Sequence, residues 1–382
     1  MLPYTALKNL FTAVYITVLS YPGTTEPDPT QITELEQVRP AVDGENGYAA
    51  LHKLPLTNKD WPEELPRCKP DTLRDCLAFA REHLATYREV ALQIQQTWQA
   101  QEQAVENLRR YSYFRPSAEQ LAIDSPTPPY QLLFMQQDLH AYRFAAGERE
   151  QALPSTCRDA NLALRMLDSH GSLLESIVAA RLLRRDIDLL AQMRAEFPPD
   201  AALPVDCDAL RPQPAASLAL CPLMYSEWLR IDEAADKPKW DWTPGNRAKT
   251  LGEQSANYWI WQTKSQQRYE MNKYCAPEII AAVARDEIAM PDIDANPRYC
   301  SPLNILCKMT QANFKTYPGY QARLLNANRY LRAFELLQHP EAPLPPGYSR
   351  DGNGLTFSLH PEKADAPEPT ITLPLPGSRL NP

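Results

Sequence analysis

Residues 172–197 read SLLESIVAARLLRRDIDLLAQMRAEF, and this stretch decides the fold class. Ser172 with Glu175 three residues later is a capping-box start, and Pro198-Pro199 is a stop, so a helix is expected between them. Its apolar residues, Leu173, Leu174, Ile177, Val178, Leu182, Leu183, Ile187 and Leu190, cover more than one stripe of the helical surface. A stripe that wide predicts a helix buried on more than one side, around which other helices must pack.

The neighbouring segments carry the same 3.6-residue habit. Upstream, Thr156 with Asp159 reads as another capping box, opening a helix through Leu162, Leu164 and Leu167 that Gly171 ends. Tyr130 to Leu153 holds Leu132, Leu133, Met135, Leu139, Tyr142 and Phe144 before a break at Gly147. Further upstream, Leu77, Ala80, Leu84, Tyr87, Ala91, Ile94, Trp98, Gln101, Val105 and Leu108 alternate at spacings of three and four, a heptad seam. With Thr72 and Asp75 as a capping box, one helix is expected from Leu73 to Arg110, about 57 Å long, which needs a partner along its length. Downstream, helices are expected over Ile279–Ile288, Leu303–Phe314 and Arg323–Gln338. After Asn353-Gly354, Leu355, Phe357 and Leu359 alternate as in a small hairpin. The expected fold is therefore all-α: long-helix hairpins forming a bundle or an irregular helical-repeat array, with one small β-hairpin near the C-terminus.

The totals agree with that class. The chain has 382 residues, enough for a large core, with 37 Pro against 12 Gly, so prolines separate the helices and tight hairpins are few. A net charge of −8 and no long Lys/Arg run exclude a nucleic-acid surface. Leu10 to Tyr21, LFTAVYITVLSY, is uncharged, and counting from Leu2 gives a segment long enough to span a bilayer. SYPG is a poor cleavage site, so residues 1–21 read as an uncleaved signal-anchor, with a cleaved signal as the alternative. Residues 22–45 form a Pro-rich tether, 46–342 the helical domain, and 343–382 a Pro-rich tail holding the hairpin. The expected location is the bacterial inner membrane with the domain facing the periplasm, or the periplasm itself after cleavage.

Eight cysteines, an even set, fit an exported disulfide-braced chain. The local pairings expected are Cys68 with Cys76, Cys207 with Cys221, and Cys300 with Cys307. Their spacings lack the close pairs of a zinc site and the C-x-x-C of a redox centre, so no metal and no cofactor is expected. The competing reading is eight reduced thiols in a cytosolic protein. The six histidines are scattered, and Arg81-Glu82-His83 and Asp168-Ser169-His170 cannot converge on one atom because helix neighbours point apart. No nucleophile elbow or phosphate loop is present, so no catalytic residue is assigned. Helix-borne carboxylates such as Glu175 and Glu227 are the candidates for a hydrolase acting on glycans.

Trp240, Trp242, Tyr258, Trp259, Trp261 and Tyr269 form the candidate recognition surface, because aromatic residues bury large area with few rotors to freeze. The competing reading places YWIW in the core.

The chain resembles an uncharacterised family of exported, N-terminally anchored helical proteins of Gram-negative bacteria. The resemblance rests on NGYAALHKLP at 46–55, the C-x7-C pair at 68–76, AGEREQAL at 146–153 followed by SLLESIVAARLL, NPRYCSPLNIL at 296–306, and KTYPGYQARLLNANRYLRAF at 315–334. It implies export and an all-helical fold, and it implies no activity. The function expected is that of a non-enzymatic envelope protein that binds another protein, in toxin immunity, as a chaperone or as a scaffold. The alternatives are a periplasmic hydrolase using helix-borne carboxylates and a cytosolic helical scaffold.

Overall fold

A computed structural model describes residues 41–55, 61–68, 75–117, 119–121, 125–236, 263–292, 317–363 and 366–379. The expected signal-anchor segment 1–21, the expected tether up to residue 40, the helix expected over Leu303–Phe314 and five of the six aromatic candidates lie outside these residues. The protein is mainly helical with one small antiparallel sheet. Its helices are α1 (Tyr48–Leu51), α2 (Cys76–Glu82), α3 (Leu84–Leu108), α4 (Gln131–Ala145), α5 (Arg149–Asp168), α6 (Leu173–Arg194), α7 (Ala215–Leu218), α8 (Cys221–Asp236), α9 (263–272), α10 (Pro277–Ala284) and α11 (Tyr317–Gln338). None of the described helices is long and apolar enough to cross a membrane.

Helix α6, the stretch quoted first, is the axis of the fold. Ser172 caps it by accepting the Glu175 N–H, as its sequence predicts. It packs against α5 and α11 most extensively, and also against α4, α8, α2 and the last strand. Leu182, Leu183, Ile187 and Leu190 are all buried, as are Ala179, Ala180 and Ala191, whose small side chains let neighbouring backbones approach. Leu174 is the exception to the expected stripe, and lies 45 % exposed.

The expected 73–110 helix is two helices. His83 closes α2 and opens α3 with φ −107° and ψ 18°, outside helical values. The seam is real, since Leu77, Ala80, Tyr87, Ile94, Trp98, Gln101, Val105 and Leu108 are buried. Both halves of the seam pack on α4. The break at His83 lets α2 pack on both α4 and α6, while α3 packs mainly on α4. Asp75 is itself the N-cap, accepting the Ala78 N–H at 2.9 Å, rather than the third residue of a box opened by Thr72.

Three other boundaries move. Helix α5 begins at Arg149, immediately after Gly147 takes a φ of +99°, and runs through Pro154. Thr156 therefore does not open the helix; its hydroxyl donates to the Ala152 carbonyl inside it. Helix α10 stops at Ala284 rather than at Ile288, because Asp286 adopts a φ of +61°. Helix α11 starts at Tyr317, ahead of the expected Arg323, with Pro318 in the first turn where its missing N–H has no partner to lose.

At the C-terminus, β1 (Tyr348–Asp351), β2 (Gly354–Ser358) and β3 (Thr370–Pro374) form an antiparallel sheet in the order β1-β2-β3. The expected hairpin is β1-β2, with Arg350 opposite Leu355; β3 is an addition, with Phe357 opposite Ile371. The apolar face, Leu355, Phe357, Leu359, Ile371 and Leu373, joins one continuous core with the helices, so sheet and bundle bury each other's faces.

Candidate functional site

Each cysteine that the structure describes is bonded. Cys68–Cys76 pairs as expected, with a Cα–Cα distance of 5.6 Å. The expected bond between Cys207 and Cys221 is overturned: Cys207 joins Cys157 and Cys221 joins Cys275, at 5.0 and 4.7 Å. The physical reason is packing. The turn Val205–Cys207 lies against α5, where Cys157 is fully buried, and Cys221 opens α8 beside the turn that ends at Cys275. A signal for Cys157 was present, since Leu153, Cys157, Ala160 and Leu164 follow one another at four, three and four residues on the apolar stripe. Cys300 and Cys307 lie outside the described residues. So do Trp240, Trp242, Tyr258, Trp259 and Trp261; Tyr269 sits on α9, half-buried under the Lys273 ammonium at 4.7 Å.

Most buried carboxylates are consumed by ties between elements. Asp138 on α4 accepts from Arg67 at 2.7 Å and from Arg185 of α6 at 3.2 Å. Glu196 takes Arg81 of α2 and Arg149 of α5. Glu362 takes Arg184 of α6 at 2.6 Å and Arg323 of α11 at 2.9 Å. Asp159 holds Arg109 at 2.6 Å and His140 at 2.8 Å, and these contacts outweigh its burial and hold its carboxyl below the usual range. Each node joins three parts of the chain, and each carboxylate is balanced by cationic or imidazole donors.

One carboxylate cluster is different. At the start of α6, Glu175 Oε1 accepts the Tyr130 hydroxyl at 2.9 Å and the Tyr48 hydroxyl at 3.2 Å, while Ser172 pairs with Oε2. No ion pair among the described residues includes Glu175. Opposite it, Glu227 of α8 accepts the Leu173 N–H at 3.2 Å, with the half-exposed Arg230 at 3.8 Å as its cation. Ser226 donates to the Gly171 carbonyl and holds α8 against the same helix start. Burial pushes both carboxyls above their ordinary values; hydroxyl donors partly offset this at Glu175, and Arg230 does so at Glu227. Glu175 further raises the cost of ionising Glu227, and burial beside Glu175 carries the Tyr48 and Tyr130 phenols upward as well.

Glu175 and Glu227, far apart in sequence, are thus brought to one helix end. Both are buried, and Glu175 has protein donors on both oxygens, so their partners hold them as a structural pair. Sequence spacing could not reveal Tyr48 or Tyr130 as their partners, since those contacts span 127 and 45 residues. Asp168 and His170 do not converge: His170 Nε2 lies 3.1 Å from the Ser217 carbonyl, and burial pushes the Asp168 carboxyl up to about 6. Among the described residues no group of His, Cys, Asp or Glu is arranged to hold a metal ion.

Fold and site together define a disulfide-braced, mainly helical protein whose interior charges serve as ties. No protein-family model, no curated protein and no solved structure was found to match the chain.

Proposed function

We propose that this protein is a non-enzymatic component of the bacterial envelope that binds another protein, acting in toxin immunity, as a chaperone or as a scaffold. The observation that carries this reading is the outer face of α3. From Val90 to Gln101 the helix has no charged residue, and Leu92, Gln96, Gln99 and Gln103 are exposed opposite the buried Tyr87, Ile94, Trp98 and Val105. A helix face that meets only water is usually laced with charges, whereas depletion of charge marks the centre of protein interfaces. Over about 18 Å this face costs less to desolvate than a charged one, and its glutamine amides call for an uncharged partner surface that supplies hydrogen bonds. Envelope location is supported by the three disulfides, which belong to an oxidising compartment, and by the apolar run Leu10–Tyr21. The resemblance to exported, anchored proteins supports the same placement.

The test is capture from envelope fractions by the full chain and by a Gln96→Glu/Gln99→Glu variant. A partner retained by the native chain and weakened at least tenfold by the paired charges supports the reading. Capture that is indifferent to the charges removes the α3 face from it. Turnover of a cell-wall substrate, lost in Glu175→Gln and Glu227→Gln, would replace the reading with the hydrolase alternative.

A further inference from the structure

Helix α3 lies at the edge of the bundle. It packs on α4 and α2, and its far side is exposed from Ala85 to Asn107. Leu92, Gln96, Gln99 and Gln103 run down the middle of that side, and Leu92 is 73 % exposed. The charges of the helix stand at its two ends, Arg88 and Glu89 near the start, Glu102 and Glu106 near the finish. Glu102 is held by Arg143 of α4, whereas Glu106 pairs with Arg109 one turn on and stays 53 % exposed. No ion pair among the described residues includes Arg88.

These positions are symmetric about a point between Thr97 and Trp98. Leu92 and Gln103 lie at equal distances on either side of it, Gln96 and Gln99 do so closer in, and Arg88 and Glu106 match to within one residue. At about 100° per residue, Arg88 and Glu106 also fall on the same flank of the exposed side. A face with that pattern is complementary to itself turned end for end. Laid antiparallel on a copy, Arg88 meets Glu106 and Gln96 meets Gln99, whereas a parallel copy sets Arg88 against Arg88. Glutamine suits such a contact because its amide both donates and accepts, so two copies of one face satisfy each other. Leu92 then lies over the methylenes of Gln103 and leaves water.

We propose that the outer face of α3 joins two copies of this chain, packed antiparallel about a two-fold axis that passes between Thr97 and Trp98. The proposal rests on the reading of this face as a binding surface and names its partner. A second copy supplies an uncharged, hydrogen-bonding surface over the middle of the helix and an opposite charge at each end. The exposed stretch from Ala85 to Asn107 is about 33 Å long and one helix wide, so the contact belongs to the small, reversible class of interfaces rather than to obligate dimers.

Sedimentation equilibrium of the purified full chain, in density-matched detergent at low salt, measures the association directly. The native chain should dimerise with a Kd below about 100 µM. Gln96→Glu/Gln99→Glu crowds like charges at the axis and should weaken the dimer at least tenfold; both side chains are exposed, so the fold is kept. Arg88→Glu and Glu106→Arg should each weaken it at least threefold. An equal mixture of those two variants should recover the native affinity, because in the mixed dimer opposite charges face each other at both ends. A native chain that stays monomeric at about 100 µM overturns the proposal. So does a dimer indifferent to Gln96→Glu/Gln99→Glu, or one weakened by both charge reversals that the mixture fails to restore. Capture of an envelope protein through α3 is read in a separate experiment, so a monomeric chain that still captures such a partner sinks the two-fold contact and leaves the binding surface standing.

Discussion

At the scale of single residues, the interior is organised by carboxylates that each hold two partners from different elements. Asp138 is 1 % exposed and joins Arg67, from the segment before the first disulfide, to Arg185 on the central helix. Burial drives its carboxyl upward against the pull of both guanidiniums, and the same burial opposes the charge on Arg185. Removing Asp138 leaves the nearly buried Arg185 without its anion. Asp138→Ala is therefore expected to cost about 3–5 kcal/mol, measured by urea denaturation, whereas Arg67→Ala, on the exposed side of the node, should cost about 1 kcal/mol. Equal losses in the two variants would mean that the node is not organised around Arg185. Asp138 itself could not be singled out in the sequence, because its two arginines lie 71 residues before it and 47 residues after it.

At the scale of elements, the disulfides divide by the length of chain they close. Cys68–Cys76 spans 8 positions, whereas Cys157–Cys207 and Cys221–Cys275 span 50 and 54. Loop-closure entropy then gives about 2.5 kcal/mol for the first and about 4 kcal/mol for each of the others. Replacing both cysteines of a pair with alanine should lower the unfolding free energy in that order, and Cys68 and Cys76 in the native protein should resist alkylation until a reductant is added. Labelling of both without reductant would remove the oxidising-compartment argument. The short bond clamps the segment carrying Arg67 against the N-terminus of α2, where Asp75 caps the helix and pairs with Arg379. The break at His83 belongs to this scale too. The heptad seam was legible in sequence because it depends only on spacing, but the bend was not, because no Pro or Gly near His83 marks it.

At the scale of the whole molecule, the buried acids set an unusual dependence on pH. Burial and the nearby Asp75 push Asp188 up to about 7, against a hydrogen bond from Gln192 and the pull of Arg184 and Arg185. Burial alone pushes Asp168 up to about 6, and Asp186 is raised as well. For these groups the folded state binds more protons than the unfolded chain, so stability falls as pH rises from about 4 to about 7. Asp159, Asp286 and Glu362 are lowered, and their contribution is lost as pH drops below the ordinary carboxylate range. The denaturation midpoint is expected to rise from pH 8 to pH 5 and to fall again below about pH 4. Asp188→Asn should flatten the upper limb, and a native midpoint that is flat or falling between pH 8 and pH 5 would contradict this account.

What the amino-acid sequence determined by itself was local: the start of α6 at Ser172, the wide apolar face of that helix, the seam along α2 and α3, the β1-β2 hairpin, and the one disulfide that closes a short loop. Each depends on contacts within a few residues, where spacing is geometry. Only the tertiary structure decided the bend at His83, the partners of Cys157 and Cys221, the third strand and the meeting of Glu175 with Tyr48, Tyr130 and Glu227. Those features depend on which faces pack together, and packing joins residues that chain order keeps far apart.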